Sequence, residues 1–219
     1  MLGQITGAGI VEGRNALESA NPRDPLQMRS NHSRMSVRPT EVRRVLFEPQ
    51  TIRRCVRTLG QRITSDYRGE KPVFVGVLRG AAVFLADLIR AVDLQLQVDF
   101  IALTSYGSYT ETSGQVQLVK DLESSIEGRL VILVEDIVDT GLTLNYLIGN
   151  LKSRNPASVK VCALLSKPAR RRVSVMIDYL GFEVPDCFVV GYGLDFDQRF
   201  RHLPYIGALD SLSSNQIAP

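Results

Sequence analysis

The chain has 219 residues, of which 44% are hydrophobic and 22% charged, with a net charge of +3. These values sit near the averages of globular proteins and exclude collagen-like, wholly disordered and disulfide-scaffold classes. No apolar run approaches the ~18–20 residues that span a bilayer, and the charge is mild beside the basic field of a dedicated nucleic-acid binder. Cys55, Cys162 and Cys187 are odd in number, scattered and without a Cys-x-x-Cys pair, which argues for a reducing, cytoplasmic setting. With only His32 and His202, a zinc site of the Cys/His kind cannot be assembled, whereas carboxylates remain available for a hard cation such as magnesium.

Residues 1–38 contain no aromatic side chain but carry Gly3, Gly7, Gly9, Gly13, Pro22 and Pro25. Such a segment buries too little apolar surface to offset its ordering entropy, and it is expected to be a disordered extension, with Met35 a candidate start. It has no basic n-region followed by a clean apolar stretch, so a secretory signal is not expected. The expected organisation is this extension, a domain over 39–210 and a tail over 211–219. Within the domain, Ile52, Val56, Leu59, Ile63 and Tyr67 recur at helical spacing after Pro49. Strands are then expected at 73–78, around Leu96, Val98 and Phe100, at 130–134, at 159–165 and at 188–190. Helices are expected at 81–92 and through Leu144, Leu147 and Leu151. Strands alternating with helices predict an α/β fold around a mostly parallel sheet, whose ligands bind beyond the carboxyl ends of the strands. The polar stretch over 105–120 reads either as an idle insertion or as a lid.

The densest chemistry lies in 131–144, VILVEDIVDTGLTL. An apolar strand ends in Glu135 and Asp136, Asp139 follows three residues on, and Thr140, Gly141, Leu142 and Thr143 open a helix. Free backbone N–H groups at that helix start, a permissive glycine and two hydroxyls make a phosphate cradle. The carboxylates beside it must then meet something else: sugar hydroxyls, magnesium or a developing cation. No Walker loop is present. The phosphoaspartate phosphatase pattern needs two Asp two apart, not three. Asp139-Thr140-Gly141 matches an aspartic protease triplet, but that site needs a second Asp and an all-β fold. An acidic receiver pocket with Asp178 as phosphoacceptor would put Lys167-Pro168 on the wrong side of the acceptor. Helix capping explains one of the three acids but not the cluster.

This stretch resembles the phosphoribosyl-pyrophosphate (PRPP) motif of the type I phosphoribosyltransferases. Further matches are VGVLRGA at 75–81, SYG at 105–107, LLSKP at 164–168, GFEVPDCFVVGYGLD at 181–195 and FRHLPYIG at 200–207. Together they are similar to the bacterial hypoxanthine-guanine branch of that family. The resemblance implies a mostly parallel sheet flanked by helices, with a small hood and a flexible active-site loop. It implies purine salvage: transfer of the 5-phosphoribosyl group to purine N9, with release of pyrophosphate, magnesium as cofactor and a homodimer or homotetramer as assembly. Asp139, Thr140, Gly141, Leu142 and Thr143 would grip the 5′-phosphate, with Asp139 also the acid/base at purine N7. Glu135 and Asp136 would face the ribose hydroxyls directly or through magnesium, and Asp195 would hold a second magnesium. Arg79, Gly80 and Arg201 would take the pyrophosphate, at a turn where the family carries a non-proline cis peptide. Ser105 and Tyr106 would form the base of the flexible loop. Lys167 would donate to purine O6, Phe188 would stack on the ring, and the Val189 carbonyl would face ring position 2. The run Arg170-Arg171-Arg172 reads as solvated or as a subunit contact. Leu142 departs from the lysine of vertebrate relatives, and residues 1–38 have no counterpart in the family. Two other readings stay open: a PRPP-sensing nucleic-acid regulator, and a transferase preferring xanthine or another purine.

Overall fold

The computed structural model describes residues 42–105 and 116–209. The expected extension over 1–38 and the tail over 211–219 lie outside these residues, as does Tyr106. The chain runs β1 (Arg44–Phe47), α1 (Pro49–Asp66), β2 (Val73–Leu78), α2 (Ala82–Ala91), β3 (Gln97–Ser105), β4 (Val116–Lys120), β5 (Leu130–Val138), α3 (Leu142–Lys152), β6 (Ser158–Ser166), β7 (Tyr179–Glu183), β8 (Val189–Val190) and β9 (Ile206–Ala208). A six-stranded sheet has the order β4-β3-β2-β5-β6-β7, and a three-stranded sheet the order β1-β9-β8. In the larger sheet only β4 is antiparallel to its neighbour.

The parallel strands are apolar on both faces because both faces are covered. Phe74, Ile132, Val134, Cys162 and Leu164 pack with Ile52, Val56, Leu59 and Ile63 of α1 and Phe84, Leu85 and Leu88 of α2. Val73, Val75, Val131, Leu133 and Val161 point the other way, onto Leu144, Leu147 and Leu151 of α3. Pro49 starts α1, where its missing N–H costs nothing. On the same helix a Cβ at Gly60 would lie 2.5 Å from the Ala91 carbonyl, so that glycine sets how closely α1 and α2 approach.

Several expected bounds shift. β5 continues to Val138, so Glu135 and Asp136 lie within the strand rather than after it, because β6 pairs with it as far as Ser166. The strand expected at 188–190 begins at Val189 and belongs to the small sheet, opposite β9, not to the parallel sheet. The polar stretch over 105–120 is not wholly a lid, since 116–120 is β4, hydrogen-bonded to β3. Strands β1, β7 and β9 carry no alternation long enough to be read from sequence.

The chain moves from β2 outward through β3 to β4, then returns to the other side of β2 and proceeds through β5, β6 and β7. The order therefore reverses between β2 and β5, and that is where ligands bind in open parallel sheets.

Candidate active site

Most of the predicted site residues, Ser105 and the undescribed Tyr106 aside, gather around that reversal. The turn after β2 carries Arg79 and Gly80, and the Leu78–Arg79 peptide is cis. Gly80 stands against Asp136 of β5: a Cβ there would lie 1.7 Å from the Asp136 Oδ2. A Cβ at Gly193 would lie 2.2 Å from the Gly80 carbonyl oxygen, so the hood loop closes over the same turn. Gly193 also has φ +102°, which L side chains rarely adopt.

The turn after β5 forms as its sequence predicts. Gly141 is the N-cap of α3 at φ 85°, and its side-chain-free backbone lets 171–175 pack against it. The Thr140 Oγ1 accepts from the Leu142 amide at 3.4 Å, and no side chain caps the helix. Helix capping thus accounts for none of the three acids. A cavity of about 80 Å³ is lined by Glu135, Asp139, Thr140, Gly141 and Thr143, among others. It adjoins a second cavity of about 230 Å³, lined by Asp136, Ile137, Asp139, Lys167, Phe188, Val189, Leu194 and Asp195. Glu135 and Asp136 therefore open onto different cavities, with Asp139 and Ile137 common to both.

The larger cavity has the features of a site for a flat heterocycle. Lys167, only 5% exposed, ends the strand-to-turn passage after β6, and its amide donates to the Val138 carbonyl at 2.9 Å. Its ammonium has no ion pair or hydrogen bond among the described residues. Phe188 is 42% exposed and meets Phe196 edge-on at 5.1 Å, which leaves a ring face open. Val189 is buried in β8 beside Ala208.

Electrostatics at the acids follow from burial. Glu135 is 8% exposed and its Oε2 is buried without a hydrogen-bond partner. Burial, and then the neighbouring Asp136, push its carboxyl well above the usual range. Burial also raises Asp136, against the pull of backbone donors and Arg201, with Asp195 pushing the same way as burial. An orphaned carboxylate oxygen among hard oxygen donors suits a cation or sugar hydroxyls. Among the described residues no three acids converge as a metal cage. Magnesium commonly binds through one or two carboxylates together with substrate phosphates, so the donor set fits that arrangement.

Arg201 is held inside the hood loop, pairing with Asp195 Oδ1 at 2.8 Å and donating to the Gly193 carbonyl at 2.8 Å. Gln198 joins the two candidate pyrophosphate arginines, its Oε1 accepting from Arg79 at 3.3 Å and from Arg201 at 3.4 Å. No motif in the sequence marks Gln198. The arginine run, expected to be solvated or a subunit contact, is exposed at Arg170 and Arg172 but also makes bonds within the chain. Arg170 pairs with Asp139 Oδ1 at 3.0 Å, and Arg171 donates to the Ser166 Oγ at 2.7 Å beneath Gly141. Arg172 is exposed and has no side-chain partner among the described residues. Asp178 is occupied structurally: its Oδ2 accepts from the Val161 amide at 2.9 Å, which removes the receiver-domain reading. No cysteine forms a disulfide, and burial pushes the Cys55 thiol up to about 11.

The family model for the phosphoribosyl transferase domain matches residues 43–197. The chain is 47% identical over 169 residues to the hypoxanthine-guanine phosphoribosyltransferase of Bacillus subtilis, covering 77% of this chain and 94% of that protein. The chain belongs to the hypoxanthine-guanine phosphoribosyltransferases. The Mycobacterium bovis member of the family is 47% identical over 178 residues, covering 78% and 88% of the two chains. Among solved structures, a Bacillus anthracis hypoxanthine-guanine phosphoribosyltransferase superposes with TM-score 0.74 at 43% identity, covering 77% of this chain and 99% of that one. A Staphylococcus aureus hypoxanthine phosphoribosyltransferase gives 0.75 at 43% identity, covering 81% and 96%.

Proposed function

We propose that this site transfers the 5-phosphoribosyl group of PRPP to N9 of hypoxanthine or guanine, giving IMP or GMP and pyrophosphate. The observation that carries it is the single cavity shared by Asp136, Asp139, Lys167, Phe188, Val189 and Asp195, adjoining the phosphate cradle through Asp139. Breaking the ribose–pyrophosphate bond leaves positive charge on the sugar, so negative groups belong near the ribose and positive ones on the leaving group. Glu135 and Asp136 supply the first. Arg79 and Arg201, bridged by Gln198, supply the second at the mouth formed with Gly80. The backbone of 140–143 and the hydroxyls of Thr140 and Thr143 grip the 5′-phosphate at the start of α3. Asp139, between the two cavities, exchanges the proton at purine N7.

In the base cavity the Lys167 ammonium donates to O6, Phe188 stacks on the ring and the Val189 carbonyl meets position 2. Magnesium, held by Glu135 or Asp136 and by Asp195, would supply positive charge to the pyrophosphate oxygens. Ser105 is the last residue of β3, and the stretch that follows it, including Tyr106 outside the described residues, is the one the resemblance assigns to shielding the sugar cation from water. The catalytic domain is 39–210, and it works as a homodimer or homotetramer, a state that light scattering reads directly. No helix among the described residues is long and apolar enough to cross a membrane. The cytoplasm is the protein's proposed place of action, with the small-molecule substrates as its proposed partners.

The test is a steady-state comparison of four bases with PRPP and magnesium. Hypoxanthine and guanine should turn over well, xanthine poorly and adenine negligibly. Adenine within tenfold of hypoxanthine overturns the assignment of the base cavity.

A further inference from the structure

Asp139 has two oxygens and two neighbourhoods. Its Oδ1 is buried and stands 3.0 Å from the Arg170 Nε, without the alignment of a hydrogen bond. The same guanidinium reaches the Asp186 Oδ1 through its Nη1 at 3.5 Å. Arg170 therefore bridges two acids from different segments, one of them the carboxylate shared by the base cavity and the phosphate cavity. It ends the 3-10 turn Pro168–Arg170, whose N-cap is Lys167, and its amide donates to the Lys167 carbonyl at 3.2 Å. One short turn thus carries both the lysine of the base cavity and the arginine that holds Asp139. The Lys167 amide is itself bonded to the Val138 carbonyl, next to Asp139, so the turn and the carboxylate share one backbone frame.

We propose that Arg170 is a positioning residue for catalysis: it engages the Asp139 Oδ1 so that Oδ2 is presented to the purine. The proposal rests on the reading of Asp139 as the acid/base. Other charged groups around Asp139 cannot take this part. Asp136 and Asp195 share its cavity but repel it, and so does Glu135 in the phosphate cavity. Arg171 is turned to Ser166, and Lys167 faces the base. The Arg170 side chain is 46% exposed, and a pair so open contributes little to stability. Its effect should therefore appear in kinetics rather than in melting. Orientation matters there, because misplacement of a reacting group by about 1 Å can cost ~10²-fold in rate.

The experiment is a double-mutant cycle with Arg170→Met and Asp139→Asn, read as kcat and KM for PRPP and as melting temperature, with Arg170→Lys and Asp186→Asn alongside. Arg170→Met should lower kcat about tenfold, leave KM for PRPP and the melting temperature near wild type, and cause no further loss in the Asp139→Asn background. Arg170→Lys should recover part of the loss, and Asp186→Asn, which leaves the guanidinium to Asp139 alone, should not lower kcat. Wild-type kcat in Arg170→Met, or an equal loss with and without the Asp139 carboxylate, overturns the proposal while the acid/base reading stands. Wild-type kcat in Asp139→Asn overturns that reading, and the positioning role with it.

Discussion

Two segments bring most of the site together, and they are built in opposite ways. The turn over 135–143 is local: a strand buried on both faces, one glycine at φ 85° and a helix start. The hood loop over 191–201 is held from outside. Besides Gly191 and Gly193 it places Tyr192, Asp197, Gln198 and Phe200 at positive φ, where side chains are unfavourable. It keeps that shape through bonds beyond and across itself: the Tyr192 amide donates to the Leu203 carbonyl outside it, the Gly193 amide to the Arg201 carbonyl at its far end, and locally the Asp195 Oδ2 accepts from the Gln198 amide. A local turn tolerates a change of chemical group without changing shape. A loop held by its surroundings answers the same kind of change by moving several groups at once.

Substitutions in the two segments should therefore fail differently. In the local turn, Asp139→Asn keeps size and polarity but cannot exchange a proton, so kcat should fall ~10²–10⁴-fold with KM for PRPP little altered. Circular dichroism and melting should match wild type, and a kcat within threefold of wild type would remove Asp139 from the acid/base role. In the loop, Gly193→Ala must find room beside the Gly80 carbonyl, 2.2 Å from the added carbon, and adopt φ +102°. A loss of ~10²-fold in kcat/KM for PRPP is expected, together with lowered stability, because Asp195 and Arg201 shift with it. If Gly193→Ala loses activity without losing stability, the loop is less dependent on its surroundings than the contrast requires.

A smaller effect separates the base from the sugar phosphate. Lys167→Met removes a charge-assisted donor of ~1.5–3 kcal/mol, so kcat/KM for hypoxanthine and guanine should fall roughly 10- to 100-fold with KM for PRPP unchanged. Equal losses for PRPP and base would place Lys167 elsewhere.

The smallest effect concerns stability. Burial holds Asp136 at about 6, above the ordinary carboxylate value. A carboxyl raised in the folded state binds its proton there more tightly than in the unfolded chain. Stability is therefore lost as pH rises from about 4 to about 6. Asp136→Asn removes that loss and should raise the melting temperature by a few degrees at pH 7–8, with little change below pH 4 and with activity impaired. An unchanged or lowered melting temperature at pH 8 would show that the unliganded protein does not bear this cost.

The same contrast explains what the sequence made legible. The runs at 73–78 and 130–134 are apolar at every position because the sheet is covered on both sides, and the turns that follow such runs are where parallel sheets bind ligands. The turns that carry Arg79, Gly80 and Asp139 are thus legible by place as well as by resemblance, whereas Lys167 is singled out by the resemblance alone. Short strands escaped for a physical reason: in β7 the pattern is broken by Gly181, which is required where a Cβ would lie 2.5 Å from the Leu164 carbonyl. Gln198 escaped because its position depends on a backbone conformation that nothing in Phe-Asp-Gln-Arg-Phe announces. The partners of Arg170 and Arg171 escaped because three consecutive arginines do not reveal which of them pairs within the chain.

The hood loop also reaches behind the site. Tyr192, itself buried, donates its hydroxyl to the Asp87 Oδ2 of α2 at 2.6 Å, and both burial and that carboxylate favour the protonated phenol. Helix α2 begins two residues after Gly80, so the loop is tied to the helix whose start follows the Arg79–Gly80 turn. The loop cannot lift as an independent flap without breaking a part-buried bond to that helix. In amide hydrogen exchange the Gly193 and Leu194 protons should consequently move with those of α2 as one slow cooperative unit, rather than with the fast population of surface loops.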